Sequence, residues 1–369
     1  MAEKRIDPWG SELIDYQHLI SEFGMEKFPE EYIKKLKYRL FERGIIVGHR
    51  DFGKVMKRIE EKKPFIQMTG IATSGKLHLG HKIDIDLFVF FKSLGAKNYF
   101  AFCDIDAYTT RPKMKSMKEA KENAIENIAH GLALGLDEKD IYLQSKKEQR
   151  YYEFAFEISK KITENEFRAV YGSVDLGKVA ANLLQYADIL HPQLPEYEGK
   201  MPSVTGIAPE QDPHARVTRD IAQRLQTQYD IEIPSFIYFM HQSGLQKGKK
   251  MSSSDPNTAI FLSDSPEEVK KKIDGAFTGG RDTVEEQKKK GGRPEICKIF
   301  EIYKFHHPDQ KFLDDIYQRC KKGELLCGED KKICTEFLTK FLEEHQKKFK
   351  EKLPIAKKIV EGRKTNKDK

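Results

Sequence analysis

His78 and His81 stand three residues apart in Thr73-Ser-Gly-Lys-Leu-His-Leu-Gly-His81, and far downstream the chain carries Lys250-Met-Ser-Ser-Ser254. Imidazoles three apart at a helix start share one face of its first turn. Both can donate hydrogen bonds to a phosphate as it gains charge. Gly80, between them, leaves the backbone open to a flat base. Lys250 offers a point charge to departing phosphates, Ser252 and Ser254 offer hydroxyl donors, and Met251 would anchor the loop to an apolar floor. A Gly- and Ser-rich cationic loop of this kind can close over a triphosphate and favour the transition state over the ground state. Alone, a His-x-Gly-His reads as a surface turn or a stray metal ligand, and the basic loop as a solvated charge cluster. Together they make His78, His81 and Lys250 the catalytic candidates. Thr73, Ser74, Gly75, Lys76, Leu77, Leu79 and Gly80 complete the first nucleotide-binding stretch, and Met251, Ser252, Ser253 and Ser254 the second.

Such groups need a scaffold that holds them. Residues 64–70 read as a buried strand running into a turn, and Ile83 to Phe91 as a helix lying on a sheet. A strand–loop–helix puts the helix N-terminus, with its free N–H groups, at the strand's carboxyl end, where anions bind. The strand candidates are Ile66–Thr69, within that first stretch, then Tyr99–Asp104, Ile141–Gln144, Val204–Ala208 and Ser235–His241. Helices are expected at Ile83–Leu94, Met117–Leu134, Tyr151–Lys161 and Pro213–Gln228. This alternation predicts an α/β fold with a doubly wound parallel sheet. Residues 1–63 are mostly helical in pattern, with amphipathic stretches at Glu30–Glu42 and Phe52–Lys62. Beyond Pro256 the pattern is helical again: Ser265–Phe277, Ile296–Phe305, Gln310–Lys321 and Lys331–Lys348. The division that follows is an N-terminal helical extension over 1–64, a Rossmann-type catalytic domain over 65–262 and a helical domain over 263–369.

Composition narrows the class. The chain has 369 residues, enough for two domains, and a net charge of +7, compatible with a polyanionic partner without requiring one. No run is long and apolar enough to span a membrane, and the first residues carry no apolar signal core. The 5 cysteines include no Cys-x-x-Cys pair, so neither a zinc site nor a disulfide framework is expected. Cys320, Cys327 and Cys334 recur every seven residues, which reads as one buried helical face. An odd cysteine count fits a reducing cytoplasm.

The two phosphate motifs resemble the paired signatures of class I aminoacyl-tRNA synthetases. Over essentially its whole length the chain resembles the tryptophanyl-tRNA synthetases of archaeal and eukaryotic type. The matching pieces include Asp7-Pro-Trp9, Asp15-Tyr16, Arg43-Gly-Ile-Ile46, His49-Arg-Asp51, Glu210-Gln-Asp-Pro-His-Ala-Arg-Val-Thr-Arg-Asp220 and Phe277-Thr-Gly-Gly-Arg-Asp282. Ser253 stands where the family usually has a second lysine. The resemblance implies ATP, with Mg²⁺ carried on its phosphates and no metal held by the protein. It also implies L-tryptophan and tRNA(Trp) as substrates, a homodimer, and an anticodon-reading role for the helical 263–369. No membrane or DNA partner is implied. Gln185 and Gln211 match positions that hold the amino acid's ammonium group, with Asp106 close by. Met68, Thr69 and Gly70 line the floor beneath the substrate.

Ring recognition is less uniform within the family. Eukaryotic members contact the indole N–H with a tyrosine and a glutamine, and those positions here are Met68 and Ala101. Asp188 resembles the ring-facing aspartate of bacterial tryptophanyl enzymes, but tyrosyl enzymes carry an aspartate there too. A carboxylate satisfies an indole N–H or a phenol O–H equally well. Met68 favours the larger ring, because it gives an adaptable apolar wall where tyrosyl enzymes place a hydroxyl. A tyrosyl-specific enzyme on the same scaffold and a non-catalytic tRNA-binding paralogue are the alternatives. Asp212, Asp255 and Asp282 read as structural ties.

Overall fold

The computed structural model describes residues 24–248, 251 and 255–362. Seven strands form one sheet: β1 Glu26–Lys27, β2 Ile46–Arg50, β3 Ile66–Ala72, β4 Lys97–Cys103, β5 Ile141–Leu143, β6 Ser203–Ile207 and β7 Ser235–Phe239, in the order β1-β2-β7-β6-β3-β4-β5. Strands β3 to β7 are parallel, as their helical crossovers require. The sheet is not wholly parallel, however. β2 pairs antiparallel with β7, and β1 antiparallel with β2. The N-terminal section, besides its helices α1 Glu30–Leu36, α2 Arg39–Glu42 and α3 Gly53–Glu60, therefore contributes an edge ribbon to the sheet.

Helices α4 Leu79–Ser93, α5 Asp104–Thr110, α6 Met117–Ala133, α7 Gln149–Ser159, α8 Glu164–Tyr171, α9 Leu176–Leu190 and α10 Asp212–Leu225 make the crossovers. The rest is helical: α11 Pro266–Asp274, α12 Val284–Lys290, α13 Lys298–His306, α14 Gln310–Lys322 and α15 Cys327–Glu361. α15 runs 35 residues, straight through Pro354, where sequence punctuation suggested a stop soon after Lys348. Leu338 and Leu342 before the proline, and Ala356 and Val360 after it, all enter one core. That burial outweighs the lost hydrogen bond of a mid-helix proline. Of the three evenly spaced cysteines only Cys334 is buried, because Cys320 sits near the end of α14 and Cys327 opens α15. No described helix is long and apolar enough to cross a membrane.

The strand order places a switch between β3 and β6, from which the chain winds outward in both directions. Those two strands pair only at Ile66↔Ser203 and Gln67↔Val204, then part. Ligands on doubly wound sheets bind at the carboxyl ends of the strands flanking such a reversal.

Candidate active site

A cavity of about 1410 Å³ opens where β3 and β6 diverge. Met68, Thr69 and Gly70 form its wall on one side, and Thr205, Gly206 and Ile207 on the other. The Thr69 hydroxyl donates across the gap to the Gly206 carbonyl at 3.3 Å. Gly70 is fixed by its neighbour strand: an added Cβ would lie 2.9 Å from the Cβ and carbonyl oxygen of Ala101.

The histidine stretch begins α4 four residues earlier than its apolar run suggests, because the histidines themselves cap the helix. The His78 Nδ1 accepts from the Gly80 N–H at 3.1 Å, and the His78 N–H donates to the His81 Nδ1 at 3.2 Å. The reciprocal arrangement is that of a capping box, with two imidazoles in place of Ser and Glu. Each Nδ1 is used as an acceptor, so each neutral ring carries its proton on Nε2. Burial, with mutual repulsion and that of His241, holds His78 well below the usual histidine range, and burial pushes His81 down to about 4. The cavity wall thus offers two neutral N–H donors beside a helix N-terminus, an arrangement suited to a phosphate. An added Cβ on Gly80 would lie 2.8 Å from the His78 ring, so the glycine makes room for that ring as well as for any ligand.

Ser74, Gly75 and Lys76 also line the cavity. Thr73, Leu77 and Leu79 do not, since their side chains turn inward. Thr73 donates to the Ala120 carbonyl, and the two leucines join the core. Backbone bonds from Leu79 N–H to Ile260 and from Leu262 N–H to Leu77 tie this stretch to the segment following the serine-rich loop. Met251 is buried and comes within 3.9 Å of the Gly80 position, the apolar floor expected for it. Lys250, Ser252, Ser253 and Ser254 lie outside the described residues.

The opposite half of the cavity is built on α9, which sequence patterning did not place. Asp175 caps its N-terminus by accepting from the Lys178 N–H. Asn182, Gln185 and Asp188 follow at three-residue spacing and line the cavity, joined by Asp106 from α5 and Gln211 before α10. Asp188 is 1% exposed. Its Oδ1 accepts from the hydroxyls of Tyr142 and Tyr151, each at 2.7 Å, and its Oδ2 from Gln144 Nε2 at 2.7 Å. Burial raises its carboxyl to about 6, against the pull of those three donors. Two lone-pair sites on Oδ1 are filled and one on Oδ2, so a single acceptor position remains for a ligand. Gln144 also accepts the Asp106 N–H at 3.2 Å, linking two of the expected amino-acid-binding residues. Asp106 is itself pushed up by burial. Asp212 acts as a tie: wholly buried, it accepts from Arg50 of β2 at 2.8 Å and from the Tyr238 hydroxyl at 2.6 Å.

A profile described as tRNA synthetases class I (W and Y) matches residues 60–343. The chain is 40% identical to the tryptophan–tRNA ligase of Aeropyrum pernix over 98% of its own length and 99% of the relative's. It is also 40% identical to that of Methanocaldococcus jannaschii, over 98% and 100%. The chain belongs to the class I tRNA synthetases. Among solved structures, the A. pernix tryptophanyl-tRNA synthetase superposes with a TM-score of 0.88 at 40% identity, covering 96% of this chain and 98% of that one. The Encephalitozoon cuniculi tryptophanyl-tRNA synthetase, bound to tryptophan, superposes with a TM-score of 0.81 at 28% identity, covering 94% and 98%.

Within this synthetase fold, several cavity residues escaped sequence reasoning: Asp84, Gln144, Glu210 and His241. His241 Nε2 and Glu210 Oε1 share a hydrogen bond, and Asp84 is raised to about 8 by burial and by Glu210. Glu210 could have been flagged by its adjacency to Gln211, and Gln144 by its place at a strand's carboxyl end. Asp84 carries no such signal, since it sits mid-helix in a mostly apolar run that also holds Asp86. No group of three or more His, Cys, Asp or Glu among the described residues could hold a metal ion.

Proposed function

We propose that the chain is a tryptophan–tRNA ligase: it activates L-tryptophan with ATP and loads it onto tRNA(Trp) in the cytoplasm. The observation that carries this reading is the cavity at the β3/β6 divergence, with two neutral Nε2–H donors at one end and a buried carboxylate facing Met68 at the other. ATP would bind over the start of α4 with its α-phosphate near His78 and His81. The tryptophan ammonium group would meet Asp106, Gln185 and Gln211, acceptors suited to a cation. Its ring would enter between Met68 and Asp188, the indole N–H taking the last acceptor position.

The carboxylate of the bound tryptophan then attacks the α-phosphate in line, giving tryptophanyl-adenylate and pyrophosphate. Positioning and charge stabilisation suffice, and no general base is required. Mg²⁺ would come with the triphosphate and offset its charge, with no protein residue assigned to hold it. Lys250, next in sequence to the docked Met251, would neutralise the leaving pyrophosphate. A terminal adenosine hydroxyl of the tRNA then attacks the adenylate's carbonyl carbon, the bond to the phosphate breaks, and AMP leaves with the tryptophanyl group esterified to the tRNA. Residues 65–262 are assigned to catalysis, 263–369 to anticodon reading, and the working unit to a homodimer.

Amino-acid-dependent ATP–pyrophosphate exchange with tryptophan and tyrosine in parallel, on the parent and on Asp188→Ala, tests the reading. Exchange with tryptophan alone, lost in the variant, is expected. Exchange with tyrosine instead would overturn the specificity, and exchange with neither would favour a protein that only binds tRNA.

A further inference from the structure

Against the two tyrosines that donate to Asp188 lies a lysine in an aromatic cage. The Lys147 Nζ is 4.7 Å from the centroid of the Tyr142 ring, 5.0 Å from Tyr197 and 5.7 Å from Tyr151. Its side chain is 10% exposed, and its one acidic contact, Glu148 at 3.3 Å, is half in solvent. A cation is costly to hold in such a place unless ring faces stabilise it. Two of the three rings are the phenols that donate to Asp188 Oδ1. A cation on the face of a phenol draws electron density from its oxygen and makes the O–H a stronger donor.

We propose that Lys147 is a positioning residue for amino-acid recognition: its charge, relayed through Tyr142 and Tyr151, keeps Asp188 an ionised, oriented acceptor for the substrate ring. This rests on the reading of Asp188 as the ring acceptor. The other groups around Asp188 do not supply the charge. Cys103, at the end of β4, is a thiol pushed far up by burial, and His191, beyond α9, is neutral because burial pushes it down to about 3. Gln144 is uncharged, and Tyr152 on α7 donates to the Gln144 carbonyl. The phenols of Tyr142 and Tyr151 are themselves raised well above the usual range, so they remain donors. Lys147 is the cation that faces the site from the segment between β5 and α7.

The sign of the effect follows. An ionised Asp188 accepts the ring N–H and a protonated one does not, so kcat/KM for tryptophan falls on the acid side around pH 6. Without the cation the carboxylate holds its proton more tightly, and that limb moves to higher pH.

Tryptophan-dependent exchange is measured against pH for the parent, Lys147→Met, Lys147→Arg, Tyr151→Phe and the Lys147→Met/Tyr151→Phe double variant. Methionine keeps the apolar stem and removes the charge. The expected result is a KM for tryptophan raised about fivefold at pH 7, with kcat at saturation within about twofold, and an acid limb moved up by about half a pH unit or more. Arginine restores both. The double variant loses less than the two single losses combined, because both cut the same relay. An unchanged acid limb in Lys147→Met, or failure of arginine to restore it, overturns the proposal. Should Lys147→Met not fold, a Tyr151→Phe variant with the parent's pH profile and the parent's KM for tryptophan does the same. Asp188→Asn separates the two claims: normal tryptophan binding there would sink the ring-acceptor reading itself, whereas impaired binding there beside a normal Lys147→Met would sink only the relay.

Discussion

His78 does two things at once, and they can be separated. Its Nδ1 caps α4, and its Nε2–H faces the cavity. Replacing it with alanine removes both, at about 1 kcal/mol for the cap alone. Asparagine is as good an N-cap as any residue, but its side chain is too short to reach where the imidazole Nε2 projects. His78→Asn is therefore expected to melt within a few degrees of the parent while losing at least about tenfold in pyrophosphate exchange. A variant with near-normal exchange would mean that the ring serves the helix and not the phosphate. This residue also marks what sequence makes legible. The two motifs were readable because catalytic side chains and their spacing are local. The side chains of Thr73, Leu77 and Leu79, in the same stretch, went to the core, since short-range spacing does not say which way a side chain turns. Asp188 was legible as an acceptor, but its three donors come from residues 142, 144 and 151, and no local pattern announces contacts made across the fold.

At the scale of elements, the parallel strands were readable as short apolar runs between turn signals, and β3 to β7 formed close to where those runs lie. α9 was not readable in the same way. Its polar stripe of Asn182, Gln185 and Asp188 faces a cavity rather than bulk water, so the usual division into apolar and solvated faces is blurred. β1 and β2 were missed because an antiparallel edge ribbon depends on β7, nearly two hundred residues on. What sets the position of α9 is a close approach to α5: a Cβ on Gly177 would lie 2.4 Å from the Thr109 carbonyl oxygen. Backbone cannot yield as a flexible side chain can. Gly177→Ala is expected to cost about 1–3 kcal/mol by overpacking and to displace the helix that carries Gln185 and Asp188. The melting temperature should fall and the KM for tryptophan rise together. An unchanged KM together with the parent's melting curve would show that α5 and α9 can part without consequence.

Across the whole molecule, the helical C-terminal part is fastened to the rest of the chain at several part-buried points and one buried one. Arg43, just past α2, donates to carbonyls at the end of α13, at 2.7 Å to His307 and 3.0 Å to Lys304. Gln346 of α15 donates to the Leu262 and Asp264 carbonyls, close to the strand of chain tied to the histidine motif. Where α6 meets α15, His130 Nδ1 and His345 Nε2 share a hydrogen bond at 2.8 Å, stacked and buried. Only one of two such nitrogens can carry the proton, so the pair must stay neutral on at least one side. Burial first, and then repulsion from His345 and Lys76 on His130 and from Lys82 and Lys348 on His345, lowers His130 to about 3 and His345 to about 4. In an unfolded chain both would titrate near 6.5. Below that value the unfolded state binds protons that the folded state refuses, so the stability these histidines contribute is present above about pH 6.5. It is lost as the pH falls towards their folded values. Each withdraws on the order of 2 kcal/mol between pH 7 and 5. Asp84, Asp188 and Asp330, whose carboxyls burial raises to about 8, 6 and 6, act with the opposite sign by on the order of 5 kcal/mol together over that interval, so the parent's net trend does not report the pair. The pair's own share is isolated by His130→Gln/His345→Gln, which keeps a neutral donor and acceptor on each helix and removes the titration. In urea unfolding at pH 7 and pH 5, the parent should lose more stability between the two than the double variant, by about 2–4 kcal/mol. Equal losses would mean that the α6–α15 junction opens before its histidines titrate, and that acid sensitivity resides in the sheet.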